Sequence, residues 1–179
     1  MSPIGTRMKQ IGDAVWFIIG TPSEYSNTVY ASTSVSAATK AHLVRSVANM
    51  YAELFDRVCG RRGADPDSDL RDELRVDCAV YMIWDMDSIA YAIHSRDECR
   101  ELEPEALGVL DAVLVRCRTS ACRVSALHGI GHAILMDGSV DCEPIAGRLR
   151  GMIDAFLGKP DVPDWLREYA LRAHDGAVQ

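Results

Sequence analysis

Ser125-Ala126-Leu127-His128-Gly129-Ile130-Gly131-His132 is the stretch on which the reading of this 179-residue chain turns. It lies within Ser120–Gly138, a run of apolar and small residues that predicts a helix. Histidines at i and i+4 share one helix face, so both rings can reach one ion. Each glycine inside a helix costs up to about 1 kcal/mol relative to alanine, so Gly129 and Gly131 require a compensating gain. On a helical wheel Cys122, Ser125, Ala126, Gly129 and Ala133 form one narrow face of small residues, where a neighbouring helix can approach closely. Gly131 falls on another side, beside Val124 and Leu135.

Two readings follow: half of a metal site, or a close-packed inner helix. A zinc protease helix carries His-Glu-x-x-His, with the glutamate as general base. Here Gly129 follows His128, so that base is absent and packing is the favoured reading. A metal site on His128 and His132 needs a third ligand, from His94, His42, His174, Cys122 or Asp85. Asp85 closes the apolar run Val80-Tyr81-Met82-Ile83-Trp84 and is the acid most expected near the histidines. The plain alternative is that it ends a helix at the surface.

Outward from this segment the chain reads as helical throughout. Leu43, Val47, Met50, Leu54 and Val58 recur every three or four residues, a helical stripe over Ser36–Cys59. Ser34 or Ser36 can cap its start, and Gly60 can end it. A second helix runs from Asp67 or Asp69 through Leu70, Leu74, Cys78, Tyr81 and Met82. Asp85 and Asp87 interrupt it, and Ser88–His94 is a short further helix. Pro104 suits the first turn of the next, with Leu107, Leu110, Leu114 and Cys117 as its stripe. Thr119 or Ser120 caps the histidine helix. Pro144 opens another with Ile145, Leu149, Met152, Ile153 and Phe156 buried and Gly158 as its stop. Pro163 opens the last, through Trp165, Leu166, Tyr169 and Ala173 to Gly176. Ile11–Gly20 reads as helix, and Thr28–Val35 as a loop or short extended piece.

The later helices pair with short joints, Glu103–Cys117 with Ser120–Met136 and Cys142–Leu157 with Pro163–His174. Each pair spans roughly 35–40 residues, near the size of HEAT and armadillo units. Tyr81-Met82-Ile83-Trp84-Asp85, the Ser125–His132 segment and Ile153-Asp154-Ala155-Phe156-Leu157 together resemble a HEAT-like helical segment of uncharacterised bacterial proteins, over about residues 70–158. The resemblance implies an all-helical fold and transfers no activity. The expected fold is therefore one all-α domain over 1–179, with 1–33 the least defined part. Its antiparallel hairpins are stacked as a short HEAT/armadillo-like solenoid or as a compact helical bundle.

Composition narrows the functional classes. The net charge is −7, concentrated between Asp85 and Asp111, where eight acids face two bases. A phosphate-binding surface needs the opposite sign, so nucleic acid is not expected as a direct partner. No apolar run approaches the roughly 18–20 residues of a membrane span. No secretory leader is recognisable, and a cytoplasmic location is expected. Cys59, Cys78, Cys99, Cys117, Cys122 and Cys142 include no Cys-x-x-Cys pair, so they read as small buried residues rather than a local zinc knuckle. Phosphate-loop, dinucleotide and nucleophile-elbow patterns are absent.

The expected function is a non-catalytic helical-repeat module that binds a protein or peptide, with a basic partner as one option and no cofactor. Glu98, Glu101 and Glu103 are its candidate docking acids. One alternative is a metal-binding protein or metal-dependent enzyme holding zinc or another transition metal on His128 and His132. The other is an acidic immunity or inhibitor-type protein.

Overall fold

The computed structural model describes residues 3–19, 29–59, 75–86, 88–94, 100–137 and 145–178. These form eight helices and no strand: α1 (Pro3–Ile19), α2 (Ala37–Met50), α3 (Arg75–Tyr81, resumed over Ile83–Met86), α4 (Ser88–His94), α5 (Glu103–Arg116), α6 (Ser120–Met136), α7 (Ala146–Leu157) and α8 (Asp164–His174). None is long and apolar enough to cross a membrane. The predicted helix starting at Asp67 or Asp69 and its Leu70 and Leu74, the Gly60 stop, Pro144, Cys99 and Cys142 lie outside the described residues. Residues 29–31 close a helical turn where a loop or extended piece is expected.

Local chemistry explains most boundaries. Ser36 caps α2, its Oγ accepting from Thr39 N at 3.2 Å. Pro104 sits in the first turn of α5, where a missing N–H costs nothing. Asp137 starts α7 from a distance, its carboxylate accepting from the Ile145 and Ala146 amides at 3.0–3.1 Å. Past α8, Gly176 takes φ +69°, and Ala177 N bonds back to Arg172 O, the geometry of a glycine-closed helix end. Arg167 holds the α7–α8 joint by donating to the Leu157, Lys159 and Val162 carbonyls.

The buried face of α2 differs from the expected stripe. Val44, Tyr51 and Phe55 are fully buried, whereas Leu43 and Leu54 are more than a third exposed. After Met50 the helix widens into a π-helical turn, Tyr51–Phe55. The turn follows Val44, where the one-residue offset is already present. It aims Tyr51 into the core, where its hydroxyl meets Ser125 Oγ at 2.7 Å.

Helix α6 lies at the centre and packs against α3, α4, α5, α7 and α8. Every residue from Cys122 through Gly131 is buried. The two glycines have separate reasons. A Cβ on Gly129 would lie 2.6 Å from the Trp84 ring, so Gly129 admits the indole of α3. A Cβ on Gly131 would collide with Val178 and crowd Ala173, so Gly131 admits α8 and the segment after it. Burying this apolar surface, at about 25 cal/mol per Å², is what offsets the glycine cost.

Candidate metal centre

The site is assembled by a break in α3. At Met82 the helix is interrupted, and Asp85 N bonds the carbonyl only three residues back, on Met82. The Val80 carbonyl accepts instead from Ser125 Oγ of α6 at 2.6 Å. This cross-helix bond clamps the end of α3 onto α6. Trp84 then fills the Gly129 gap, and Asp85, the next residue, meets the histidines one turn further along α6.

Both imidazoles converge on one carboxylate. His128 Nε2 is 3.0 Å from Asp85 Oδ1 and 3.1 Å from Oδ2. His132 Nδ1 is 3.2 Å from the same Oδ1. The two rings lie 4.3 Å apart between centroids. One donor atom from each of Asp85, His128 and His132 falls within 4.8 Å of the others. His128 is fully buried, whereas the His132 and Asp85 side chains are 28% and 20% exposed, so the group opens to solvent on one side.

The surroundings fix His128 in one orientation. Its Nδ1 is 3.2 Å from the Tyr169 hydroxyl of α8, which in turn lies 3.2 Å from the Tyr81 hydroxyl of α3. The Tyr81 ring also packs on the His128 ring, 4.2 Å between centroids. A tautomer that donates from Nε2 to Asp85 and accepts at Nδ1 from Tyr169 O–H satisfies both nitrogens. The His132 imidazole is held below its ordinary value of 6.5, chiefly by burial and then by the neighbouring His128, with Asp85 opposing. It therefore keeps a lone pair to lower pH than a free histidine does.

Of the five candidates for a third ligand, Asp85 takes the position. His42 lies in a groove between α2 and α5. His174 is beside Asp154 and Asp175. Cys122 is a buried free thiol grouped with Cys117 and Asp56, and the His94 side chain lies outside the described residues. Tyr81 and Tyr169 carry no spacing signal that ties them to the histidines; only the fold brings them there.

The acidic stretch is resolved in part. Glu98 lies outside the described residues. Glu101 is exposed, whereas the Glu103 side chain is 15% exposed and 3.7 Å from Arg148 of α7. No protein-family model, curated protein or solved structure matches this chain.

Proposed function

We propose that the protein binds a divalent first-row transition metal on His128, His132 and Asp85. The observation that carries this reading is the convergence of two imidazole nitrogens and one carboxylate within 4.8 Å of one another. Two histidines and one carboxylate are a familiar donor set for zinc and for non-haem iron. Three protein ligands leave at least one position for water or another small ligand, and the exposed side at His132 and Asp85 is where it would enter. On binding, the ligating nitrogens give up their protons. The His128 proton then resides on Nδ1 and is donated to the Tyr169 oxygen, a partner of the kind that ligating histidines usually have.

The interaction-module reading rests on the acidic stretch, in which, among the described residues, Glu101 and Asp111 are exposed and Glu103 is engaged by Arg148. The radial packing about α6 supports a helical bundle more than a linear repeat stack, since repeats touch only their neighbours. That packing weighs against a docking solenoid.

Elemental analysis after zinc loading and dialysis tests it. Asp85→Asn and His132→Ala should each retain about one equivalent less than the wild-type protein, with unchanged helical circular dichroism. Equal retention in all three would remove the site.

A further inference from the structure

A second group of donors lies at the opening of α6, about 9 Å of helix rise from His128. Cys59 ends the helical run from α2, and Cys117 ends α5; both are cap residues where the backbone turns extended. Cys122 stands in the first turn of α6. Three chain ends thus bring three thiols together. All three are free cysteines. The Cys117 and Cys122 sulfurs and an Asp56 carboxylate oxygen all lie within 4.8 Å of one another. The three thiols are no more than 2% exposed, and half-buried Asp56 is the most accessible member.

Asp56 is held in place by the chain it meets. Its Oδ1 accepts from Arg118 N at 2.8 Å, Thr119 N at 2.7 Å and Thr119 Oγ1 at 2.9 Å. All three bonds use one oxygen, so Oδ2 can take a further partner without releasing the start of α6. Cysteine as a small apolar residue accounts for the burial. It does not account for two sulfurs within 4.8 Å of each other and of a carboxylate anchored by three hydrogen bonds.

We infer that Cys117, Cys122 and Asp56 form a second metal site, for a thiophilic d10 divalent cation of the zinc–cadmium class. Two sulfurs and one oxygen supply three of the four donors that such an ion takes in tetrahedral sites, leaving one position for water. Soft thiolates select it over the harder ions that oxygen sites hold. In the metal-free protein the thiols are held protonated. Cys117 is raised by its bond to Cys122 and by burial. Cys122 is lowered by Cys117 but raised overall by Cys59 and burial. The ion would displace the Cys117 and Cys122 thiol protons to solvent, and the two thiolates would balance its double charge, leaving the site with the single negative charge of Asp56. The positive end of α6 favours negative sulfur at Cys122.

Cadmium alone, added to the reduced full-length protein, is the probe. A thiolate-to-cadmium charge-transfer absorption should saturate at about one equivalent. It should survive His132→Ala and Asp85→Asn, which carry no sulfur, and be lost in Cys117→Ser and Cys122→Ala. Should those variants fail to fold, cadmium-113 NMR of the wild type decides: a deshielded resonance from a sulfur-containing donor set is expected. Absence of a charge-transfer band in the reduced protein, a band retained in folded Cys117→Ser, or a resonance in the nitrogen–oxygen range would each overturn the inference. Loss of the histidine site alone leaves the sulfur band unchanged, so the two sites fail separately.

Discussion

At the scale of single residues, Tyr169 and His132 separate a metal site from a merely structural cluster. The Tyr169 hydroxyl lies 3.2 Å from His128 Nδ1. Tyr169→Phe removes that oxygen and keeps the ring. Partners of this kind typically contribute about 10–100-fold in metal affinity. Zinc affinity of Tyr169→Phe, read by competition with a chromophoric chelator, should fall by about 10-fold at least. His132 makes a prediction about the metal-free protein. Its folded value lies below the unfolded 6.5 because burial and His128 disfavour the charged ring. The unfolded chain therefore takes up the proton first, and stability falls as pH drops below 6.5 toward the folded value. Above 6.5 both states are neutral at this ring and its contribution is constant. In chelator-treated protein, urea midpoints should decline less steeply from about pH 7 to 5 for His132→Asn than for wild type. Parallel declines would show that His132 is not the group responsible.

At the scale of elements, the fit of α3 and α8 around α6 depends on two hydrogen atoms where side chains would be. Gly129→Ala places a methyl 2.6 Å from the Trp84 ring, an overpacking cost of about 1–3 kcal/mol that exceeds the gain in helix propensity. Gly151, at an exposed position of α7 with nothing within 4 Å, gives the opposite sign. Gly151→Ala should stabilise by about 0.5–1 kcal/mol. At about 2–4 °C per kcal/mol for a chain of this size, thermal melts resolve the contrast. These helices were largely legible because each carries both a periodic stripe and punctuation. Ser88–His94, Pro104 in the first turn of α5, Gly158 after α7 and Gly176 after α8 all fall where caps and stops place them. The buried stripe of α2 lies one position beyond the expected one, at Val44, Tyr51 and Phe55, an offset already present before the π-helical turn. Nothing in the identities of Tyr51–Phe55 announces that turn, which carries the Tyr51–Ser125–Val80 contact across three helices.

At the scale of the whole molecule, α6 is both the structural axis and the ligand-bearing element. The i, i+4 histidines were visible in sequence because both lie on one helix. Asp85 was visible only as the acid that ends an apolar run. Tyr81 and Tyr169 were not, since their meeting with His128 depends on how α3 and α8 settle on α6. The same holds for Asp56 and Cys117, which spacing rules for local cysteine pairs could not join. A bound ion would tie α3 to α6 directly, and at a hundredfold excess over its dissociation constant would stabilise the fold by about 2.7 kcal/mol. The most direct test of the histidine–aspartate centre is zinc K-edge X-ray absorption on zinc-loaded Cys122→Ala protein at about one equivalent. The account predicts a first shell of nitrogen and oxygen at about 2.0–2.1 Å, with the outer-shell scattering of two imidazole rings. A sulfur-dominated shell, or a hydrated ion without imidazole scattering, would contradict it.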